Sequence, residues 1–360
     1  MNRNKRILKL MSRMKEEGIE SFLIKNSNNV FYLSGVKSSN AWVLIYKEEA
    51  WFLTDFRYLE VAEKELKGLF QVIDMERKII SHSINKIIGY QPDVKMGFEI
   101  NDITYFEYKA LSEELNKNII LHPSEGWVEK LRRIKDEEEI SFIKEAQKIS
   151  EKALRETMNY IREGEKEIKI QRILENFLFD FGAEDLAFKT IVAAGKRGSL
   201  PHAVPSENKI LDGDFVTIDM GCKYFGYCSD MTRTFAVGNV EEYKRKIYNI
   251  VSKAQNAALK EIKAGKSARD IDKTSRDIIE SEGYGQYFGH GLGHSLGIEV
   301  HEAPSFSPLS KDYLEENMIM TVEPGIYIPG SCGLRIEDLV VVKKDRIENL
   351  TEMEKDLIIL

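Results

Sequence analysis

Thr217-Ile218-Asp219-Met220-Gly221-Cys222-Lys223-Tyr224-Phe225-Gly226-Tyr227-Cys228-Ser229-Asp230 is an apolar run, a glycine-containing reversal and a returning run. That is the signature of a β-hairpin. A turn between Tyr224 and Phe225 makes Asp219 and Asp230 cross-strand neighbours. A second segment runs from Val322-Glu323-Pro324-Gly325 through Pro329-Gly330 to Arg335-Ile336-Glu337-Asp338. Pro-Gly is a strong turn dipeptide, and a reversal about Gly330 makes Glu323 face Glu337. Directly opposed residues have Cβ atoms roughly 4.5–5.5 Å apart, and like charges there destabilise a sheet. One such pair is more often a solvated edge than a binding site. Two pairs are another matter when histidines lie between them.

The intervening segment is Gly289-His290-Gly291-Leu292-Gly293-His294-Ser295-Leu296-Gly297-Ile298-Glu299-Val300-His301-Glu302, and it holds three of the chain's six histidines. Its glycines give little side-chain mass to a core and let the backbone approach closely. A Gly-His-Gly-x-Gly-His string alone is weak, and the ordinary reading of each histidine is a core residue bonded to backbone. Combined with four carboxylates it points to cations. Two divalent ions would neutralise four ionised acids. An oxygen-dominated site with a single imidazole suits manganese or cobalt better than thiolate- or histidine-rich structural zinc sites do. Two metals roughly 3.5–4 Å apart can lower the pKa of a shared water and clamp a hydrolytic transition state.

At these residues the chain resembles the pita-bread metallopeptidases, the group of aminopeptidase P, proline dipeptidase, methionine aminopeptidase and creatinase. The stretches are Ile218-Asp219-Met220-Gly221, Ser229-Asp230-Met231-Thr232-Arg233-Thr234-Phe235, the histidine segment, Thr321-Val322-Glu323-Pro324-Gly325-Ile326-Tyr327 and Leu334-Arg335-Ile336-Glu337-Asp338. The resemblance implies Asp219, Asp230, His294, Glu323 and Glu337 as ligands of a binuclear centre. Asp230 and Glu337 would bridge both ions, Asp219 would complete one site, and His294 with Glu323 the other. Manganese is the first expectation, with cobalt, zinc or iron as alternatives. With all five positions filled, metal-free creatinase and ligand-poor binding proteins of the same fold are disfavoured. The resemblance further implies His202 beside the substrate, His301 supporting the tetrahedral intermediate and Glu323 as general base. It places His290 and Arg335 as supporting groups.

The amino-terminal part helps choose among relatives. Strand and helix patterns alternate before Pro123-Ser124-Glu125-Gly126, as in an α/β layer. Strands are expected at Ser21–Ile24, Ala41–Tyr46, Trp51–Thr54, Gln71–Asp74 and Met96–Ile100, and helices near Tyr58–Leu66 and Tyr105–Leu115. Asn28-Asn29-Val30-Phe31-Tyr32-Leu33-Ser34-Gly35-Val36 and Thr54-Asp55-Phe56-Arg57-Tyr58 resemble the amino-terminal domain of aminopeptidase P and proline dipeptidase, which methionine aminopeptidases lack. The expected division is therefore 1–124, a creatinase/prolidase-like domain, and 125–360, a pita-bread domain. Within the latter, helices over about Asp136–Arg162, up to Phe181, through Ile250, Ala254 and Ala258, and over Ala268–Ser281 precede the two hairpins in pairs. That suggests two pseudo-symmetric α/β halves.

With 360 residues the chain can bury a sizeable core. A net charge of −7 with both signs interspersed offers no basic stripe to nucleic acid. Cys222, Cys228 and Cys332 form no disulfide framework and suit a reducing compartment. Without an apolar run of about eighteen residues, no membrane span is expected, and the cytoplasm is the expected location. The resemblance implies a peptidase cleaving before a proline in the second position of peptide substrates, working as a homodimer. The proline preference comes from the family alone. Some family dipeptidases carry an arginine just after His-Glu-x-Pro. Here His301-Glu302-Ala303-Pro304 is followed by Ser305, and a free substrate carboxylate is best paired by arginine. The expectation is therefore an Xaa-Pro aminopeptidase, with the Xaa-Pro dipeptidase as alternative.

Overall fold

The computed structural model describes residues 3–76 and 79–360; Met1 and Asn2 of the basic start lie outside them. The chain divides into two compact units, Met1–Arg132 and Arg133–Leu360. The break follows Arg132 rather than Ser124 because the helix Trp127–Arg132 belongs to the first unit's packing: Trp127 is buried and stacks on Phe22 with ring centroids 4.8 Å apart.

The first unit is built on a six-stranded sheet in the order Gln71–Asp74, Glu49–Thr54, Ala41–Tyr46, Ser21–Ile24, Val94–Glu99, Ile119–Ser124. Its central strands are apolar at nearly every position, as strands buried on both faces must be. Ala41–Tyr46 and Glu49–Thr54 form an antiparallel hairpin whose two turn residues, Lys47 and Glu48, both have positive φ. That turn twists in the same sense as the strands it joins. The Asn28–Ser34 stretch is part of a helix, Ser27–Ser34, capped by the Asn26 side chain and ended by Gly35 at φ 74°. The strand Ile119–Ser124 was not expected.

In the second unit the helices Glu137–Met158, Glu167–Asp180, Glu242–Glu261 and Ala268–Ser281 stand where the periodicity put them, except that the first ends at Met158 rather than near Arg162. Asp136 and Glu139 form a capping box on the first, worth about 1 kcal/mol. Each helix pair packs on its own core. One contains Ile149, Leu154, Ile170, Ile218 and Met231; the other contains Val251, Ala254, Ile271, Met320 and Val340. The first half carries the sheet Ile191–Ala194, Phe215–Met220, Met231–Ala236, and the second the sheet of Glu302–Phe306, Gly293–Ser295, Ile319–Val322, Asp338–Val342 and Ile347–Asn349.

Buried polar groups join the halves. Arg233, 2% exposed, donates to Asp338 Oδ1 at 2.9 Å and to the Glu337 carbonyl at 2.5 Å. Glu337 N–H donates to Thr232 O at 3.0 Å, and the Thr234 hydroxyl to Arg335 O at 2.9 Å. Breaking one side of a buried ion pair costs about 3–5 kcal/mol, so the strand after Asp230 is held firmly against the chain around Glu337. Among the described residues no helix is long and apolar enough to cross a membrane.

Candidate metal centre

The two acid-bearing segments differ in how well the expected register holds. Around Gly330 it holds on both sides: Gly325 pairs with Arg335 and Ile328 with Cys332, while Val322 pairs with Asp338. Glu323 and Glu337 fill the gap between these two ladders, in register with both. The first segment is corrected. Its tip pairs Tyr224 with Tyr227, and Asp219 lies opposite Thr232 rather than Asp230. Phe225 and Gly226 take the turn, both at positive φ, so the reversal comes one residue later than expected. The partner moves by two positions, which leaves each side chain on the same face.

Five side chains converge. His294 Nε2 is 3.7 Å from Asp230 Oδ2 and 3.4 Å from Glu323 Oε1. Asp230, His294 and Glu337 offer ligand atoms all within 4.8 Å of one another. His294 Nδ1 lies 3.1 Å from the Ser295 carbonyl. Donating its proton there leaves Nε2 as a lone-pair donor facing the acids. Glu337 receives the Thr232 hydroxyl at 2.8 Å. Arg335, buried, donates to Asp219 Oδ2, to Thr232 Oγ1 at 3.0 Å and to Tyr327 Oη at 2.6 Å.

Burial and mutual repulsion make this cluster electrostatically expensive. Desolvation first, then the charges of Glu337, Asp219 and Glu323, push Asp230 well above the carboxylate range. Glu337 is raised by burial and then by Glu323 and Asp219. Burial takes Glu323 up to about 8, against the opposing pull of Arg335. His294 falls to about 4, chiefly by burial, and so is neutral. Arg335 offsets only one of four negative charges. Asp219 Oδ1 is buried with no hydrogen-bond partner, a cost a native fold rarely leaves uncompensated. Carboxylate oxygens, one imidazole lone pair and an orphaned oxygen fit hard or borderline divalent cations.

The remaining expected residues lie around this centre to differing degrees. His301 is exposed, its ring centroid 4.4 Å from that of His294. His290 is lowered to about 4, mainly by burial; its Nδ1 is 2.7 Å from Gly291 O and its Nε2 3.1 Å from Tyr327 Oη. His202 is exposed in the segment after Gly195–Ser199, near enough for its charge to act on His290. Tyr327 and Thr232 were missed as site residues. Both stand in the quoted stretches, but no spacing marks their hydroxyls as facing inward.

A second acidic group, Glu99, Asp102 and Glu129, lies in the first unit. Its acids are engaged: Glu99 accepts the N–H groups of Lys25 and Asn26 and the Asn29 amide, Asp102 the Asn26 amide, and Glu129 the Asn29 amide.

The profile of "Metallopeptidase family M24" matches residues 141–344, and that of the "Creatinase/Prolidase N-terminal domain" matches residues 6–134. The chain belongs to metallopeptidase family M24. The chain is 43% identical to the solved Xaa-Pro dipeptidase from Bacillus anthracis, covering 99% of both chains with a TM-score of 0.94. An Xaa-Pro dipeptidase of Pyrococcus horikoshii is 36% identical over 99% of both. The X-Pro aminopeptidase structure from Thermotoga maritima is 35% identical, covering 98% of this chain and 99% of that one, with a TM-score of 0.89. The expected α/β fold, with a creatinase-type domain ahead of a pita-bread domain, is thus borne out. M24 membership carries divalent-metal hydrolysis of peptides with it.

Proposed function

We propose that this metallopeptidase is an Xaa-Pro dipeptidase, its cations held by Asp219, Asp230, His294, Glu323 and Glu337. The observation that carries the substrate class is the end-to-end likeness to Xaa-Pro dipeptidases of two genera. It reverses the order expected from Ser305, which put the aminopeptidase first. We propose two ions, manganese or cobalt ahead of zinc or iron, because four carboxylates exceed what one divalent charge balances. Bound cations supply Lewis acidity and a more acidic water. Glu323, its Oε1 3.4 Å from the Thr321 hydroxyl, takes the proton as general base. His301, exposed beside His294, offers an N–H to developing negative charge. His202 contacts the substrate, Arg335 fixes the orientation of Asp219, and Tyr327 ties His290 to Arg335.

The aminopeptidase reading keeps one specific support. Ser305 pairs across the ladder with His294, so a neutral, exposed residue stands beside the centre where a cation would hold a dipeptide's carboxylate. Lys311 is exposed nearby in sequence. Turnover of Ala-Pro against Ala-Pro-Ala with added manganese or cobalt decides. A dipeptide preference of at least about tenfold supports the dipeptidase, and equal or better cleavage of the tripeptide overturns it. We also propose a homodimer; exposed Phe56 and Phe106 border a cavity of about 550 Å³ in the first unit, and a monomer of full activity in light scattering would refute it.

A further inference from the structure

The chain between His294 and Glu302 is a hairpin loop whose base is gripped by a lysine that the proposed chemistry leaves unused. Ser295 and Glu302 are ladder partners across a register shift, so they close the loop 296–301. Lys135, 1% exposed, comes from the segment just ahead of the helix Glu137–Met158. Its ammonium donates to Ser295 Oγ at 3.2 Å, Glu302 Oε2 at 3.2 Å and Arg133 O at 3.4 Å. An ammonium has three donors, and all three find acceptors. One charge thus touches both residues that close the loop.

Glu302 holds the loop from inside as well. Its other oxygen, Oε1, accepts the N–H groups of Ile298 at 3.1 Å and Glu299 at 3.3 Å. A Cβ on Gly297 would come within 2.8 Å of that carboxylate, so glycine is what lets the acid lie against the backbone. Gly297 O in turn accepts the Cys228 N–H at 2.7 Å, two residues before Asp230. The loop delivers His301 beside the His294 ring, and Ser295 supplies the carbonyl that sets the His294 tautomer.

We infer that Lys135 is a positioning residue for hydrolysis: through Ser295 and Glu302 it clamps the base of the 296–301 loop and fixes His301 against His294. The inference rests on the proposed role of His301. A buried ion pair is weak support for stability, since apolar residues of similar volume serve as well or better. Its use here is geometric. A compact ammonium turns its three donors around one point, whereas a guanidinium's donors are confined to one plane.

The test compares Lys135→Met and Ser295→Ala, alone and in a His301→Ala background, reading metal content, melting temperature, kcat and KM on Ala-Pro. Lys135→Met should keep its metal and lower kcat by about tenfold or more, the scale for losing an outer partner of a metal-site group. KM should move by less than roughly threefold, marking an interaction made mainly in the transition state. In the His301→Ala background the further loss should shrink to within roughly threefold, because residues acting through one another are not additive. Ser295→Ala removes one leg, leaves the Lys135–Glu302 pair, and should slow kcat in the same direction. It carries the test if Lys135→Met does not fold. Wild-type kcat in the folded variant, or an equal loss in both backgrounds, overturns the clamp. A slow His301→Ala enzyme beside an unchanged Lys135→Met sinks the clamp alone. A near-normal His301→Ala enzyme sinks the reading of His301, and the clamp with it.

Discussion

Among the described residues two groups of acids come together, one in each unit, and they solve the same electrostatic problem in opposite ways. Glu99 is raised to about 7, first by burial. Even so, its oxygens are met by the amide N–H groups of Lys25 and Asn26 and by the Asn29 side chain. Those bonds order the start of the helix Ser27–Ser34. In the second group burial is followed by the repulsion of several neighbouring carboxylates, with Arg335 as the opposing charge. That group also includes a buried oxygen, Asp219 Oδ1, with no partner. Proximity of acids alone therefore does not make a metal site. What separates the two is whether protein donors already satisfy the oxygens. A satisfied cluster has nothing to gain from a cation, and an unsatisfied one does.

The largest expected effect follows directly. Asp230→Asn and Glu337→Gln should each cut kcat/KM by more than about 100-fold, beyond the loss from an outer partner, and lower bound metal measured by mass spectrometry. Glu99→Gln should leave both within about twofold, because it keeps a carbonyl oxygen for the same N–H groups. Full metal content and near-normal rate in either of the first two variants would erase the contrast.

Within the second cluster the comparison sharpens into ligand against proton handler. Glu323→Gln keeps one oxygen for a cation but accepts no proton, so kcat should collapse while KM changes little. His301→Ala should retain its metal and slow kcat by about 10²–10³, the cost of one donor to an oxyanion. Loss of metal from His301→Ala would place that ring among the ligands instead.

Cation removal should separate the two clusters in stability. A ligand at about 100 times its Kd adds about 2.7 kcal/mol to the folded state, which for a unit of this size is roughly 5–10 °C in melting temperature. Chelation should lower the transition of the wild type and of Glu99→Gln by that amount. It should move that of Glu337→Gln far less. Equal shifts in all three would mean that the cations stabilise the protein from somewhere other than this centre.

Sequence made the second cluster legible because its signals are symmetric. Pro329-Gly330 sets the register of Glu323 and Glu337, and the ladders on both sides obey it. The first hairpin was legible in kind but not in register. Phe225 takes a left-handed conformation beside Gly226, a choice that an aromatic residue disfavours and that only the surrounding packing, including the stack of Phe225 on Phe142, can enforce. The helix periods and their glycine stops were legible, Ala268–Ser281 to the residue. Tyr327, Thr232 and Lys135 were not. Thr232 and Lys135 meet partners more than a hundred residues away, Tyr327 meets His290 and Arg335 from another strand and loop, and no local pattern encodes which partner a buried hydroxyl or ammonium finds. The first unit's acids were silent too: Glu99 ends a strand, Asp102 lies in the turn after it and Glu129 in the helix Trp127–Arg132, and no spacing marks them as a group.

The smallest effect concerns how Glu99 itself titrates. Its carboxyl moves from 4.5 to about 7 on folding, so between these values the folded state binds the proton more tightly than the unfolded chain. The stability this contributes is fully present below about pH 4.5 and is lost as pH rises through about 7. At about 1.4 kcal/mol per tenfold change in proton affinity, the linked free energy is roughly 3 kcal/mol. Glu99→Gln mimics the protonated acid at every pH, and so should remove this slope from the first unit's unfolding. Urea unfolding at pH 5 and pH 8, followed by the fluorescence of Trp42 and Trp51 in that unit, reads it out. The variant should gain on the wild type at pH 8 by roughly 3 kcal/mol and at pH 5 by less than about 1 kcal/mol. The opposite sign, with Glu99→Gln weaker at pH 8 than at pH 5 relative to the wild type, would mean that the carboxylate is held ionised by its donors. Both clusters would then stabilise negative charge, one with amides and the other with cations.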